Sequence, residues 1–244
     1  MEPSIARIAM LPLEPAPESK AAAVGWYGKL PSLGDFASRR LGPDFVEAWD
    51  AWLAQGIASW RHDAPDTWLD EYLAAPSWRF ILMPSVLPGA CGQTAWAGVL
   101  MPSVDRVGRY FPLTLAQPLS PLPGDGGTTE WMLRWLQRLD DIALDALNDD
   151  WTIDQLESAL IGTGTWPPSE DPADGPIAGI DLHAQPPGMT LWLRPDAAGR
   201  TQIHTERGLP CGAAFRQLVS GTSAAAAAPL LPVATLTSTS AHDH

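Results

Sequence analysis

The segment Met101-Pro102-Ser103-Val104-Asp105-Arg106-Val107-Gly108-Arg109-Tyr110-Phe111-Pro112-Leu113-Thr114 limits the possible folds of this chain more than any other. It follows the apolar run Ala95-Trp96-Ala97-Gly98-Val99-Leu100 and leads into a second one at Tyr110 to Leu115. Two apolar runs parted by a polar, Gly-containing break predict strand, sharp connection, strand. A simple hairpin needs only Asn-Gly or Asp-Gly at such a turn. Here the connection carries Asp105, Arg106 and Arg109 instead. A second polar cluster lies upstream, in Gly25-Trp26-Tyr27-Gly28-Lys29-Leu30-Pro31-Ser32-Leu33-Gly34-Asp35-Phe36, with Arg39 just beyond it.

The rest of the pattern places these clusters. Trp26 and Tyr27 open a short strand that ends at the Gly28-Lys29 turn. Gly42-Pro43 marks a helix start, since proline is favoured at the first helical position. From Phe45, the residues Trp49, Trp52, Leu53, Gly56 and Trp60 share one helical face, with Glu47 and Asp50 expected in solvent. A shorter helix is expected from Asp66 to Ala75, capped by Asp66, buried through Trp68, Leu69, Tyr72 and Leu73, and stopped by Pro76. Trp78 to Met83, Thr94 to Met101 and Tyr110 to Gln117 read as three successive strands. After a Pro/Gly-rich linker, Thr128 or Thr129 is expected to cap a long helix facing inward through Trp131, Met132, Trp135, Leu136, Leu139, Ile142, Ala143, Ala146 and Leu147. Thr152 caps a helix over Ile153 to Ile161.

Residues 162–187 read as a loop. Met189 to Arg194 and Thr201 to Thr205 form a hairpin, and Pro210 to Val219 a last helix. The expected fold class is α/β: a single sheet of mostly antiparallel strands, covered by helices on both faces as a three-layer αβα sandwich. The expected domain spans residues 23–220, between a disordered leader, 1–22, and a disordered low-complexity tail, 221–244.

Composition narrows the function. The formal net charge is −13. Residues 24–119 contribute −2 of it and residues 120–220 contribute −9. An acidic chain without a basic stripe is a poor binder of nucleic acid, where phosphate neutralisation supplies most of the affinity. Cys91 and Cys211 suggest neither a disulfide framework nor a zinc site, and no cofactor is expected. No run approaches the length of a membrane span and no secretory leader is evident, so a cytoplasmic protein without membrane insertion is expected. Seven of the twelve tryptophans fall between residues 24 and 119. Each ring can bury roughly 150–250 Å², on the order of 4–6 kcal/mol gross, which suits a Trp-rich core or, for one or two rings, a partner interface.

Catalytic constellations are weak. Ser103, Asp105 and His204 can be written as a triad, but no Gly-x-Ser-x-Gly elbow surrounds Ser103, and Ser and Asp in turns commonly bond their own backbone. The five histidines lack metal-ligand spacing. Gly28-Lys29-Leu30-Pro31-Ser32-Leu33-Gly34 departs from a phosphate-binding loop, because Lys29 is followed by Leu-Pro and not by Ser/Thr opening a helix.

Together with Trp49-Asp50-Ala51-Trp52-Leu53 and Pro76-Ser77-Trp78-Arg79-Phe80, the two polar clusters closely resemble the TagF family (also called ImpM or SciT), accessory proteins of the bacterial type VI secretion system. The resemblance runs in order from Gly25 to Leu115 and fades after about Leu119. It implies a non-enzymatic, post-translational negative regulator of the apparatus, with an FHA-domain scaffold protein of the same system as partner and other apparatus components as further candidates. The motif residues Lys29, Ser32, Asp35, Arg39, Trp78, Arg79, Ser103, Asp105, Arg106 and Arg109 are then structural or partner-binding. Two readings stay open for the charges. Arg106 and Arg109 pair with Asp105 and Asp35 and lock the two loops together, or some of them face outward and dock a partner, flanked by Trp26 or Trp78. A hydrolase or phosphoryl-handling enzyme built on Lys29, Ser103, Asp105, Arg106 and Arg109 is the alternative from a different class, and a structural subunit of the apparatus is the third.

Overall fold

A computed structural model describes residues 23–123, 126–164, 180–196 and 199–221. The expected leader, nearly all of the tail, the middle of the 162–187 loop and the tip of the last hairpin lie outside these residues. The elements in chain order are β1 (Gly25–Gly28), β2 (Ala37–Arg39), α1 (Pro43–Asp63), α2 (Trp68–Leu73), β3 (Trp78–Leu82), β4 (Ala95–Met101), β5 (Leu113–Leu119), α3 (Gly126–Asn148), α4 (Ile153–Ile161), β6 (Met189–Pro195), β7 (Thr201–Arg207) and α5 (Ala213–Val219). All seven strands join one sheet in the order β2-β1-β5-β4-β3-β6-β7. Every neighbouring pair is antiparallel, so the expected α/β class and antiparallel sheet are found.

Strand alternation sorts the side chains into two cores. Ile81, Ala97, Val99, Leu115, Leu191 and Leu193 enter one core, which also receives Met132, Trp135, Leu136 and Leu139 of α3 and Leu156 and Leu160 of α4. Phe80, Leu82, Trp96, Leu100 and Trp192 enter the other, with Phe45, Trp49, Leu53 and Trp60 of α1, Tyr72 of α2 and Phe215 of α5. The central strands β3 and β4 are buried at every position, which explains their continuous apolar sequence. Six of the seven upstream tryptophans are core residues, and only Trp68 is half-buried.

On the α1 side the indoles are tied by hydrogen bonds as well as packed. Trp49 Nε1 donates to Thr114 Oγ1 at 2.8 Å, Trp60 Nε1 to Glu71 Oε2 at 2.9 Å, and Trp52 Nε1 to Pro210 O at 2.6 Å. A methyl group at Gly56 would meet the Phe215 ring at 2.6 Å. The glycine is therefore the notch on α1 into which α5 seats its aromatic ring.

Several expectations are corrected. The strand expected from Tyr110 begins at Leu113, because Phe111 donates its N–H back to Ser103 O and Pro112 has no N–H to give. Tyr110 keeps only an isolated bridge to Val104. Strand β2, three residues long and too short to show alternation, was not expected. Helix α2 starts after Thr67, without a side-chain cap, and Leu73 is 59% exposed. Asp66 does not cap it. Asp50 is not free in solvent: it accepts a hydrogen bond from the Tyr27 hydroxyl. Helix α3 begins at Gly126, so Thr128 and Thr129 lie within its first turn and not at its cap, while α5 is shorter than the Pro210–Val219 span. The start of α4 agrees in detail, with Thr152 and Gln155 forming a reciprocal capping box.

Candidate functional site

Strand order brings the two polar clusters together. β5 pairs with β1 on one side and β4 on the other, and Leu113 stands opposite both Gly28 and Met101. The loop after β1 and the loop between β4 and β5 therefore leave the sheet at the same end. Gly28 has φ +132°, and a methyl group there would lie 2.1 Å from Pro112 O. Only glycine lets the two loop bases approach so closely.

Asp105 is the centre of the contact. Its side chain is fully buried. Oδ2 accepts from Lys29 Nζ at 2.9 Å and from Arg109 Nε at 2.7 Å. Oδ1 accepts from the backbone N–H groups of Val107 at 3.0 Å and Arg109 at 2.9 Å. Burial alone would raise the carboxyl pKa, but the Arg109 backbone, Lys29, the Arg109 side chain and the Val107 backbone outweigh it and hold Asp105 well below the usual carboxylate range. Lys29 is itself buried and lies over the Phe36 ring at 4.8 Å.

The remaining ties close the lock. Ser103 Oγ donates to Lys29 O at 2.8 Å. The Tyr72 hydroxyl donates to Ser103 O and accepts from Ser103 N, each at 2.9 Å. Arg106 N donates to Leu33 O at 2.8 Å. Arg109 also donates to Gly34 O and stands 3.8 Å from Asp35, a contact open to solvent on both sides. Lys29, Asp35, Ser103, Asp105 and Arg109 thus form one cluster. Arg106 joins it through its backbone alone: its exposed guanidinium meets no carboxylate among the described residues, contrary to the full pairing reading.

The other motif residues lie elsewhere. Ser32 turns away from the lock and donates to Trp151 O at 2.6 Å. Arg39 stands 3.5 Å from Glu157 of α4. Glu157 also accepts from Arg40 and from Trp26 Nε1, and these contacts lower its pKa against the opposing effect of burial. Arg79 pairs with Asp140 of α3 at 3.1 Å. Trp78 is buried, edge-on to His204, with Arg194 over its ring at 4.9 Å. Neither Trp26 nor Trp78 flanks the charged turn as an exposed ring. Glu157 and Arg40 escaped the sequence reading, and Tyr72 was read only as a buried ring, because their polar partners are remote in the chain.

This arrangement can hold loops, but it does not assemble a reaction centre from the residues considered. Ser103 spends its hydroxyl proton on Lys29 O. His204 lies on β7, in register with Trp192, Phe80 and, three strands away, Gly98 of β4. That spacing alone amounts to about 14 Å, so the written triad does not meet. Lys29 is taken up by Asp105 and the Phe36 ring, so its amine is not free at the surface to bind a phosphate. Among the described residues, no group of three or more His, Cys, Asp or Glu is placed to hold a metal ion, and no helix is long and apolar enough to cross a membrane.

The TagF N-terminal domain, described as type VI secretion system-associated, matches residues 25–162. Among solved structures, PA0076 from Pseudomonas aeruginosa PAO1 is similar, with 35% sequence identity and a TM-score of 0.67, over 82% of this chain and 94% of that one. No curated protein matches the chain.

Proposed function

The chain belongs to the TagF family of type VI secretion system-associated proteins, and from that premise we propose that it restrains assembly or firing of the apparatus after translation, by binding a component of it. The partner in this reading is an FHA-domain scaffold protein of the same system, met in the cytoplasm. The working body is a rigid three-layer αβα domain over residues 23–220, with residues 1–22 and 221–244 as appendages.

One observation carries the reading. The charged residues of both motif loops are directed mainly at each other, around Asp105, and so build a fixed surface in place of a reactive cleft. Binding that occludes a component needs complementary shape and charge and no chemistry. The same observation argues against a hydrolase or phosphoryl-handling site on these loops. Among the described residues, the exposed large apolar side chains, Leu73, Val107, Leu144 and Ile161, are spread over four elements or loops and do not favour a structural subunit.

The test is made in the host. Removing the protein should raise secretion by the apparatus, overproducing it should lower secretion, and the tagged chain should co-purify with the FHA-domain protein. Secretion that is indifferent to both changes would sink the regulatory reading.

A further inference from the structure

The β4–β5 turn has a tip that the lock beneath it does not use. Val107 is 65% exposed, with Ile161 the most open of the large apolar side chains among the described residues, and the neighbouring Arg106 is exposed. Among the described residues neither side chain makes a hydrogen bond or ion pair, and the Arg106 guanidinium lies beside Gly34. Their backbone is nonetheless held firmly: Arg106 N–H bonds Leu33 O, Val107 N–H bonds Asp105 Oδ1, and Gly108 N–H bonds Asp105 O at 2.9 Å. A cation and an apolar side chain on a fixed turn form a small preorganised projection, and preorganisation spares the ordering cost of binding.

Beside it lies a depression of about 410 Å³, lined by Trp151, Asp154, Gln155 and Ser158. The link between the two is short. Leu33 O holds Arg106, and the preceding residue, Ser32, donates to Trp151 O. The backbone of the projection, at Arg106 N, and that of the depression's rim, at Trp151 O, are therefore on the order of 10 Å apart, with the β1–β2 loop between them. A standard interface buries about 800 Å² on each partner, enough to span both. The floor of the depression is also fixed, because the capping box sets Thr152 and Gln155 and the Trp151 N–H bonds Ala146 O at 3.1 Å.

The chemistry of the two features is opposite. An indole, a carboxylate, an amide and a hydroxyl suit a lysine or arginine side chain, with its aliphatic stem or cation on the ring and its charge toward Asp154. The acids Asp149 and Asp150, exposed in the same connection, strengthen that sign. Arg106 suits a carboxylate, and Val107 an apolar notch.

The geometry points to one composite docking surface, made of the Arg106–Val107 projection and the Trp151–Asp154 depression, for a protein partner that inserts a basic side chain into the depression and offers a carboxylate to Arg106. It rests on the proposed function, whose FHA-domain protein is the partner used in the test.

The experiment measures binding of the purified FHA-domain protein to the full chain by calorimetry, with thermal melts alongside. Arg106→Glu and Asp154→Lys should each weaken binding by about tenfold or more while the melting temperature stays near that of the unaltered chain. Thr201→Lys, on the far edge strand, should bind normally. If the unaltered chain binds and either variant stays within about twofold of it, the composite surface is overturned and the proposed function stands. If the unaltered chain does not bind, both fall. Light scattering that shows a dimer of the chain alone, lost in both variants, would assign the surface to self-association and overturn the partner.

Discussion

Among the buried carboxylates of this domain, Asp105 and Glu157 fasten it in different ways. Asp105 is gripped by four donors, of which two are backbone N–H groups of its own turn and a third is the Arg109 side chain four residues on. Glu157 is met only by side chains from distant parts of the chain, Trp26, Arg39 and Arg40. The first carboxylate therefore shapes a loop, and the second staples a preformed helix to the edge of the sheet. A carboxylate that accepts from its own turn cannot be lost without losing the turn. One that accepts only from remote side chains can be lost with each element still intact.

The sharpest way to break this contrast is Asp105→Ala. It leaves Lys29 buried without a counter-charge, and removing one partner of such a pair costs about 3–5 kcal/mol. Hydrogen exchange should quicken at the Val107 and Arg109 amides first. Unchanged protection there would mean that the turn holds itself.

Glu157→Ala should cost less, about 1–3 kcal/mol, because Arg39 and Arg40 can turn to water. Exchange should quicken around β2 and the start of α4, while the β4–β5 turn stays protected. Loss of protection in both places would show that the two fastenings act as one.

Acid should erase the second difference. The Glu157 pKa is lowered in the folded chain, so its contribution is complete above the unfolded value of about 4.3 and is lost as pH falls through the folded one. The stability gap between the unaltered chain and Glu157→Gln should therefore close below about pH 4, as denaturant titrations would show. A gap that persists at the lowest pH would mean that packing, not charge, fastens α4.

The smallest effect is expected for Arg109→Lys. The change keeps the charge beside Asp105 but gives up the fork that also reaches Gly34 O, on a side chain 46% exposed, for a loss of about 1 kcal/mol or less. A loss as large as that of Asp105→Ala would place the control of the turn in the guanidinium.

The same contrast explains what could be read from the chain alone. Part of the Asp105 lock was legible, as one of two open readings, because its charges crowd into two short segments: Arg109 meets Asp105 and Asp35, while the Lys29 pair and the Ser103 ties had no local signal. Antiparallel pairing was legible too, since apolar runs separated by turns leave few alternatives. Glu157 was not, because on α4 it is one polar position in an ordinary amphipathic helix, and its partners lie 117 residues or more away. Strand β2 hid for a related reason: three residues cannot display a period of two. Arg106 was misplaced because sequence supplies a charge and possible partners but not the direction of the side chain, and here Arg109 alone takes both acids.

The seat of Phe215 against Gly56 has a consequence for how the protein is made. Phe215 comes near the end of the described chain, yet it meets the middle of the first helix, and Trp52 on that helix bonds the carbonyl of Pro210. During synthesis the patch of α1 around Trp52 and Gly56 stays uncovered until these late residues emerge from the ribosome. A chain that stops short of Phe215 should leave Trp52 and the Gly56 notch uncovered, and limited proteolysis should cut it more readily than the full chain.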